Sequence, residues 1–190
     1  MMTLFLFAPD GIAEDTLLQC AKAAVAAGDC ASIVIPAQST TSLKTTVAAL
    51  QSLGLATLLR DCETTLVLET GADGLHLSDA TKLVEARKLL NNQSLGFFAG
   101  TSRHAAMEAA EAGADYVAFA QTKQVVGEPI IGWWQDVTQI PSVAFDPVEA
   151  TALPDLVPQN PDFIRPVDSM WQSPEMATRE ITALTTGITS

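Results

Sequence analysis

A single (β/α)8 TIM barrel is the fold this sequence predicts, on three observations. Short apolar runs alternate with helix-forming segments eight times along the 190 residues, and strand-helix alternation builds a parallel sheet. Gly28-Asp29, Gly71-Ala72-Asp73 and Gly113-Ala114-Asp115 each close an alanine- or leucine-bearing segment and open an apolar run, with their glycines 43 and 42 residues apart. That spacing is the period of two strand-helix units. The first apolar run is followed by Leu6-Phe7-Ala8-Pro9-Asp10-Gly11, without the G-x-G-x-x-G of an open dinucleotide-binding sheet, so the regular repeat favours closure. At this length the barrel is compact, below the usual size of about 250 residues, and one domain covers 1–190.

The strands are expected at Leu4 to Ala8, Ala31 to Ile35, Ala56 to Leu59, Gly74 to Leu77, Leu95 to Ala99, Tyr116 to Ala120, Ser142 to Phe145 and Phe163 to Val167. None shows strict polar alternation, as expected when helices cover one face and the barrel interior the other. Helices are expected over Asp15 to Ala27, Thr40 to Leu53, Thr81 to Leu90, Ser102 to Ala112 and Ser173 to Thr185, with weaker ones near Glu63, Trp134 and Val148. Asp79 and Ser102 precede helical segments and can cap them through a side-chain oxygen. The repeated glycines suit helix ends in the left-handed conformation, from which the chain reverses into a strand.

Composition narrows the function. Ten Lys and Arg against 22 Asp and Glu give a net charge of −12, which repels phosphate backbones and anionic lipid, so neither nucleic acid nor membrane is an expected partner. With 48% hydrophobic and 17% charged residues the chain is too apolar to be disordered. Cys20, Cys30 and Cys62 are odd in number and widely spaced, and read as reduced core residues rather than a zinc or redox site. The start lacks a basic region and its apolar run is too short for a signal or span, which predicts a cytoplasmic protein.

In such a barrel the loops after the strands carry function and the opposite loops carry stability. This assigns the Gly-Ala-Asp repeats to structure. It points instead to Gln38-Ser39, Arg60-Asp61, His76-Leu77-Ser78-Asp79, Gly100-Thr101-Ser102-Arg103-His104, Gln121-Thr122-Lys123, Asp146 and Asp168-Ser169.

Two of these segments carry a family likeness. Ala72-Asp73-Gly74-Leu75-His76-Leu77 with Glu85-Ala86-Arg87-Lys88-Leu89-Leu90 resembles the A-D-G-V-H-L stretch and following helix of thiamine-phosphate synthases and their TenI relatives. Gly100-Thr101-Ser102-Arg103-His104, followed by Glu111-Ala112-Gly113-Ala114-Asp115-Tyr116-Val117, resembles the next unit of that family. The likeness is sharp from about Arg60 to Ala120.

The resemblance implies a transferase of thiamine biosynthesis that joins a pyrimidine diphosphate to a thiazole phosphate and releases pyrophosphate with Mg²⁺. Oxygen ligands for Mg²⁺, donors for the pyrophosphate and a backbone N–H nest for the second phosphate are then required. On the matching positions Asp61 and Asp79 are the metal candidates, and Arg60, Thr122, Lys123 and Asp168 the substrate-binding candidates. His104, with Ser102, is the catalytic candidate, because TenI-type thiazole tautomerases carry their proton-transfer histidine in this G-x-S-x-H setting.

The departures from the pattern are equally specific. The family's Asn-Asp reads Arg60-Asp61, its Q-x-R-x-K after the second strand has lost both cations, and its Gly-Gly-Ile after the seventh strand reads Asp146-Pro147-Val148. Synthase turnover is therefore expected to be weak, with a TenI-like tautomerase or a non-catalytic ligand- or protein-binding barrel as the alternatives. Arg60, Arg103 and Arg165 are candidate replacements for the lost phosphate donors. The added carboxylates Asp146 and Asp168 lead to the expectation of a neutral or cationic small ligand of aminopyrimidine or thiazole type. Trp133, Trp134 and Trp171 fit core packing better than ligand stacking.

Overall fold

The computed structural model describes residues 2–37, 40–121 and 128–189. The strands are β1 (Thr3–Phe7), β2 (Cys30–Pro36), β3 (Ala56–Arg60), β4 (Gly74–Leu77), β5 (Ser94–Gly100), β6 (Tyr116–Phe119), β7 (Ser142–Val148) and β8 (Phe163–Pro166). Each pairs in parallel with the next, and β8 closes onto β1 through Thr3 with Phe163 and Leu4 with Ile164. The helices are α1 (Glu14–Ala27), α2 (Thr40–Ser52), α3 (Thr64–Thr70), α4 (Leu83–Leu89), α5 (Arg103–Glu111), α6 (Ile130–Val137), α7 (Leu153–Leu156) and α8 (Pro174–Thr189). None of the described helices is long and apolar enough to cross a membrane.

Most strand boundaries fall within two residues of the sequence expectation, because the apolar runs are bounded by turn residues. Two elements differ. The helix expected from Thr81 begins as a 3-10 turn over Ala80–Lys82, capped by the Asp79 carboxylate, before α4 proper. The weak helix expected near Val148 begins just past it, as a 3-10 turn over Ala150–Ala152, because β7 continues to Val148, which is buried and pairs with Pro166 of β8. Helix α7 is a single turn further on, with Pro154 at its start, where a missing N–H is tolerated.

Alternation splits the apolar side chains into two layers. Leu4, Leu6, Ile33, Ile35, Leu59, Leu75 and Leu77 face the helices and join one large core with Leu17, Cys20, Val47, Val67 and Trp134. Phe5, Phe7, Val34, Leu58, Tyr116, Ala118, Val143 and Phe145 fill the barrel interior, with Phe98 and Phe163 packed against them. Gly96 of β5 makes room for this filling, since a Cβ there would collide with the Tyr116 ring and its hydroxyl. Cys20 and Cys30 are buried, Cys62 is half-buried, and all three are free thiols. Burial pushes Cys30 up to about 12, so its thiol is inert.

The Gly-Ala-Asp repeats lie at the N-terminal pole and brace the strands in pairs. Gly71 and Gly113 end their helices at φ 73° and 90°, as expected. Gly28 is extended at φ −168°, and its missing Cβ instead lets α1 approach Ile181 of α8. Asp73, just before β4, accepts a hydrogen bond from Thr57 N at the start of β3 (2.7 Å). Asp115, just before β6, accepts one from Leu95 N at the start of β5 (2.7 Å), and Asp162, just before β8, one from Ser142 N at the start of β7 (2.8 Å). A carboxylate thus satisfies an N–H at the start of β3, β5 and β7, whereas at β1 Thr3 N and Leu4 N bond the Asp162 and Asp29 carbonyls.

Candidate functional site

The mouth of the barrel is built where β1, β3, β7 and β8 end. Leu58 and Phe163 belong to the interior layer, so strand alternation places Arg60 and Arg165, two residues further along, on the same inward side. Both guanidinium groups converge on one ring: Cζ of Arg60 lies 4.5 Å and Cζ of Arg165 4.6 Å from the centroid of Phe7. Arg165 also lies 4.8 Å from Phe145, which meets Phe7 edge-on at 4.8 Å. Aromatic faces attract a cation without neutralising it. Each arginine therefore also takes a carboxylate: Arg60 Nη2 donates to Asp10 Oδ1 and Arg165 Nη2 to Asp168 Oδ1, both at 2.7 Å.

The arginines are nearly covered, with side chains 17% and 13% exposed, whereas Asp10 is 83% exposed and Asp168 53%. Arg165 Nη1 donates to the Phe145 carbonyl at 3.3 Å, but its Nε is buried without a partner. Trp171 fastens the same region, its indole N–H donating to the Phe7 carbonyl at 3.0 Å. Beside Arg60 a pocket of about 320 Å³ opens, lined by Asp10, Pro36, Ala37, Arg60 and Asp61.

Below this mouth His76 is buried among aromatic rings, stacked on Phe145, with Nδ1 2.7 Å from the Tyr116 hydroxyl. Burial pushes its pKa down to about 4, with Asp61 opposing and Arg60 and Arg165 adding to the effect. It is a neutral interior group; its side-chain partner is Tyr116 within the barrel and not the following loop.

The predicted site residues divide sharply. Arg60, Asp61 and Asp168 lie at or beside the mouth. Asp61 adopts φ 46°, a left-handed conformation Asp tolerates, and its carboxylate accepts bonds from Ser78 N (2.7 Å) and Ser78 Oγ (3.0 Å). Asp79 is a cap: its Oδ1 accepts from Thr81 N and Thr81 Oγ1, which holds its pKa below the usual range. Ser102 caps α5, accepting from Ala105 N at 3.1 Å. His104 is 84% exposed in the first turn of α5 and pairs with Glu108 at 3.3 Å. Among the described residues none of Asp79, Ser102 and His104 has a hydrogen bond or ion pair to Arg60, Asp61 or Asp168. Thr122 and Lys123 lie outside the described residues, as do Gln38 and Ser39.

Asp168 also bears differently on charge than its sequence position suggested, because the Arg165 ion pair offsets it. Asp146 sits in β7 and donates its N–H to Gln121 Oε1 at 2.7 Å. Arg103 lies over Trp133 and meets Glu128, while Trp134 and Trp171 are core residues with bonded indole N–H groups. Phe7 and Asp10 escaped the sequence reading. The step of two from Phe5 and Phe163 was the available signal for Phe7 and Arg165.

A family model described as thiamine monophosphate synthase matches residues 4–165. The chain belongs to the thiamine monophosphate synthase family. A thiamine-phosphate synthase from Hyphomonas neptunium is 31% identical, over 95% of this chain and 92% of the relative. One from Rhodospirillum centenum is 34% identical over 119 residues, 57% of this chain and 58% of the relative, so the chain matches little more than half of that protein. The fold is that of a thiamine phosphate pyrophosphorylase from Pyrococcus furiosus, with a TM-score of 0.81 at 16% identity over 99% and 96% of the two chains.

Mg²⁺ is the ion that the family resemblance implies, and the donor set can be tested against it. Mg²⁺ is commonly held by one or two carboxylates together with substrate phosphates. Asp79 is engaged in capping, Asp61 is drawn onto Ser78, and the described residues contain no cluster of three or more possible metal-ligating side chains. These residues do not fit a preformed Mg²⁺ site.

Proposed function

We propose that this barrel binds a small aromatic ligand of the thiamine-precursor class, aminopyrimidine or thiazole in type, at its C-terminal mouth, and that its synthase turnover is weak. The observation that carries the reading is the end of β7. Asp146 N is bonded to Gln121, Pro147 has no N–H, and Val148 continues the strand against Pro166. A phosphate nest needs successive free N–H groups. This segment supplies none at its first two positions, and the paired strand restrains the third.

Arg60 is the substrate-binding residue best supported by its position, with Asp168 acting through its pair with Arg165. A tautomerase mechanism through His104 and Ser102 is less well supported, since a histidine so exposed and paired along its own helix offers no dry site for proton transfer. Calorimetric titration with aminopyrimidine and thiazole compounds, each as alcohol and as phosphate, tests the reading. Micromolar to millimolar binding that fails in Arg60→Gln supports it, and absence of binding by every member of the set overturns it.

A further inference from the structure

Resting on the ligand-binding reading of the mouth and deepening it, we propose that Arg60 and Arg165 form a two-guanidinium seat for a phosphoryl group. In this seat Asp10 and Asp168 are built-in occupants that the ligand displaces. The two distances to the Phe7 centroid, 4.5 and 4.6 Å, keep the guanidinium carbons within about 9 Å of each other. Both side chains lie on the inward side of their strands, over the same interior ring.

Three features mark the seat as made for exchange. The guanidinium groups lie over aromatic rings, Arg60 over Phe7 and Arg165 over Phe7 and Phe145, so the charged heads are positioned before any ligand arrives. Their carboxylate partners are exposed beyond the strand ends, and each meets its guanidinium through one oxygen on one Nη2, short of the two-pronged contact that makes such pairs strong. The carboxylates themselves are exposed, so water takes up their charge as they leave, which limits the cost of displacing them.

The third feature is Arg165 Nε, a buried donor with no acceptor. Such a group carries a desolvation cost unless a partner is supplied. A phosphoryl group brings three acceptor oxygens, more than the one each aspartate now offers, and its two negative charges replace those of Asp10 and Asp168. The site stays near neutral while its donors gain acceptors. The carboxylates also give a reason why a protein of net charge −12 can hold two covered cations stably when no ligand is present.

The test is calorimetric titration of the full chain with inorganic pyrophosphate and with orthophosphate. Arg60→Gln and Arg165→Gln should each weaken pyrophosphate binding about tenfold or more, while Arg179→Gln, remote from the mouth, leaves it unchanged. Asp10→Asn and Asp168→Asn should each tighten it by up to about fivefold, the most that an ion pair with an exposed carboxylate is expected to contribute. Asp10 is so exposed that its variant will fold, and Arg165→Lys, which keeps the charge but lacks Nε, should fall between wild type and Arg165→Gln. Unchanged or weaker binding by both asparagine variants, or wild-type affinity in Arg165→Gln, would overturn the proposal. If precursor phosphates bind but ignore both arginine substitutions, the seat fails and the ligand reading survives. If pyrophosphate follows the predicted pattern while no aminopyrimidine or thiazole compound binds, the seat stands and the ligand reading fails.

Discussion

Acid should destabilise this barrel through one residue. His76 is folded as a neutral ring with a pKa of about 4, against 6.5 when free, so between those values the unfolded chain binds a proton that the folded chain excludes. Stability from this group is therefore complete above about pH 6.5, falls as pH drops through the window, and levels off below about pH 4. A difference of this size is worth about 3 kcal/mol in full at 1.36 kcal/mol per pKa unit, of which about 2 kcal/mol should be gone by pH 5. His76→Gln can still bond the Tyr116 hydroxyl but does not titrate. Urea unfolding followed by tryptophan fluorescence at pH 7, 6 and 5 compares the two. The wild type should lose about 2 kcal/mol more than the variant, because the carboxylates common to both cancel in the difference. Parallel losses would refute the placement of a neutral histidine inside the barrel.

Gly96→Ala should cost about 1–3 kcal/mol in the same unfolding measurement, because the added methyl overlaps the Tyr116 ring, and it should disturb the His76–Tyr116 contact. Asp115→Ala should cost about 1–3 kcal/mol by leaving Leu95 N without its acceptor, and ligand binding at the opposite pole should be unaffected. His104→Gln should leave precursor binding within about twofold of wild type by calorimetry, since the side chain faces water and Glu108; a tenfold loss would restore the tautomerase reading.

Most of the barrel was readable because its signals are local. Eight apolar runs bounded by turn residues mark eight strands, and the Gly-Ala-Asp period marks the pole where Asp73 and Asp115 bond the neighbouring strand. Capping was readable for the same reason, as Asp79 and Ser102 bond residues two and three positions away. The mouth was only half readable. Arg60 and Asp61 are adjacent in sequence, but the partner of Arg60 is Asp10, fifty positions away, and Arg60 and Arg165 meet only because closure brings β3 and β8 to the same ring. Asp168 looked like a free repulsive charge because its pairing depends on the 3-10 turn over Asp168–Trp171 that follows β8. His104 shows the converse. Its motif matches residue for residue, while the folded position puts the ring in water on the outer face of a helix start.

The measurement that bears most directly on the function is synthase turnover itself. The full chain would be supplied with pyrimidine diphosphate, thiazole phosphate and Mg²⁺, and pyrophosphate release followed by a coupled assay. Removing one preorganised donor can lower a rate on the order of 10²-fold, and here the β7 nest and the second-strand cations are missing together. Against a usual enzyme rate of about 10 s⁻¹, turnover should therefore lie below about 0.1 s⁻¹. A rate of 1–10 s⁻¹ would contradict the account and show that the missing β7 nest and second-strand cations are not needed for turnover.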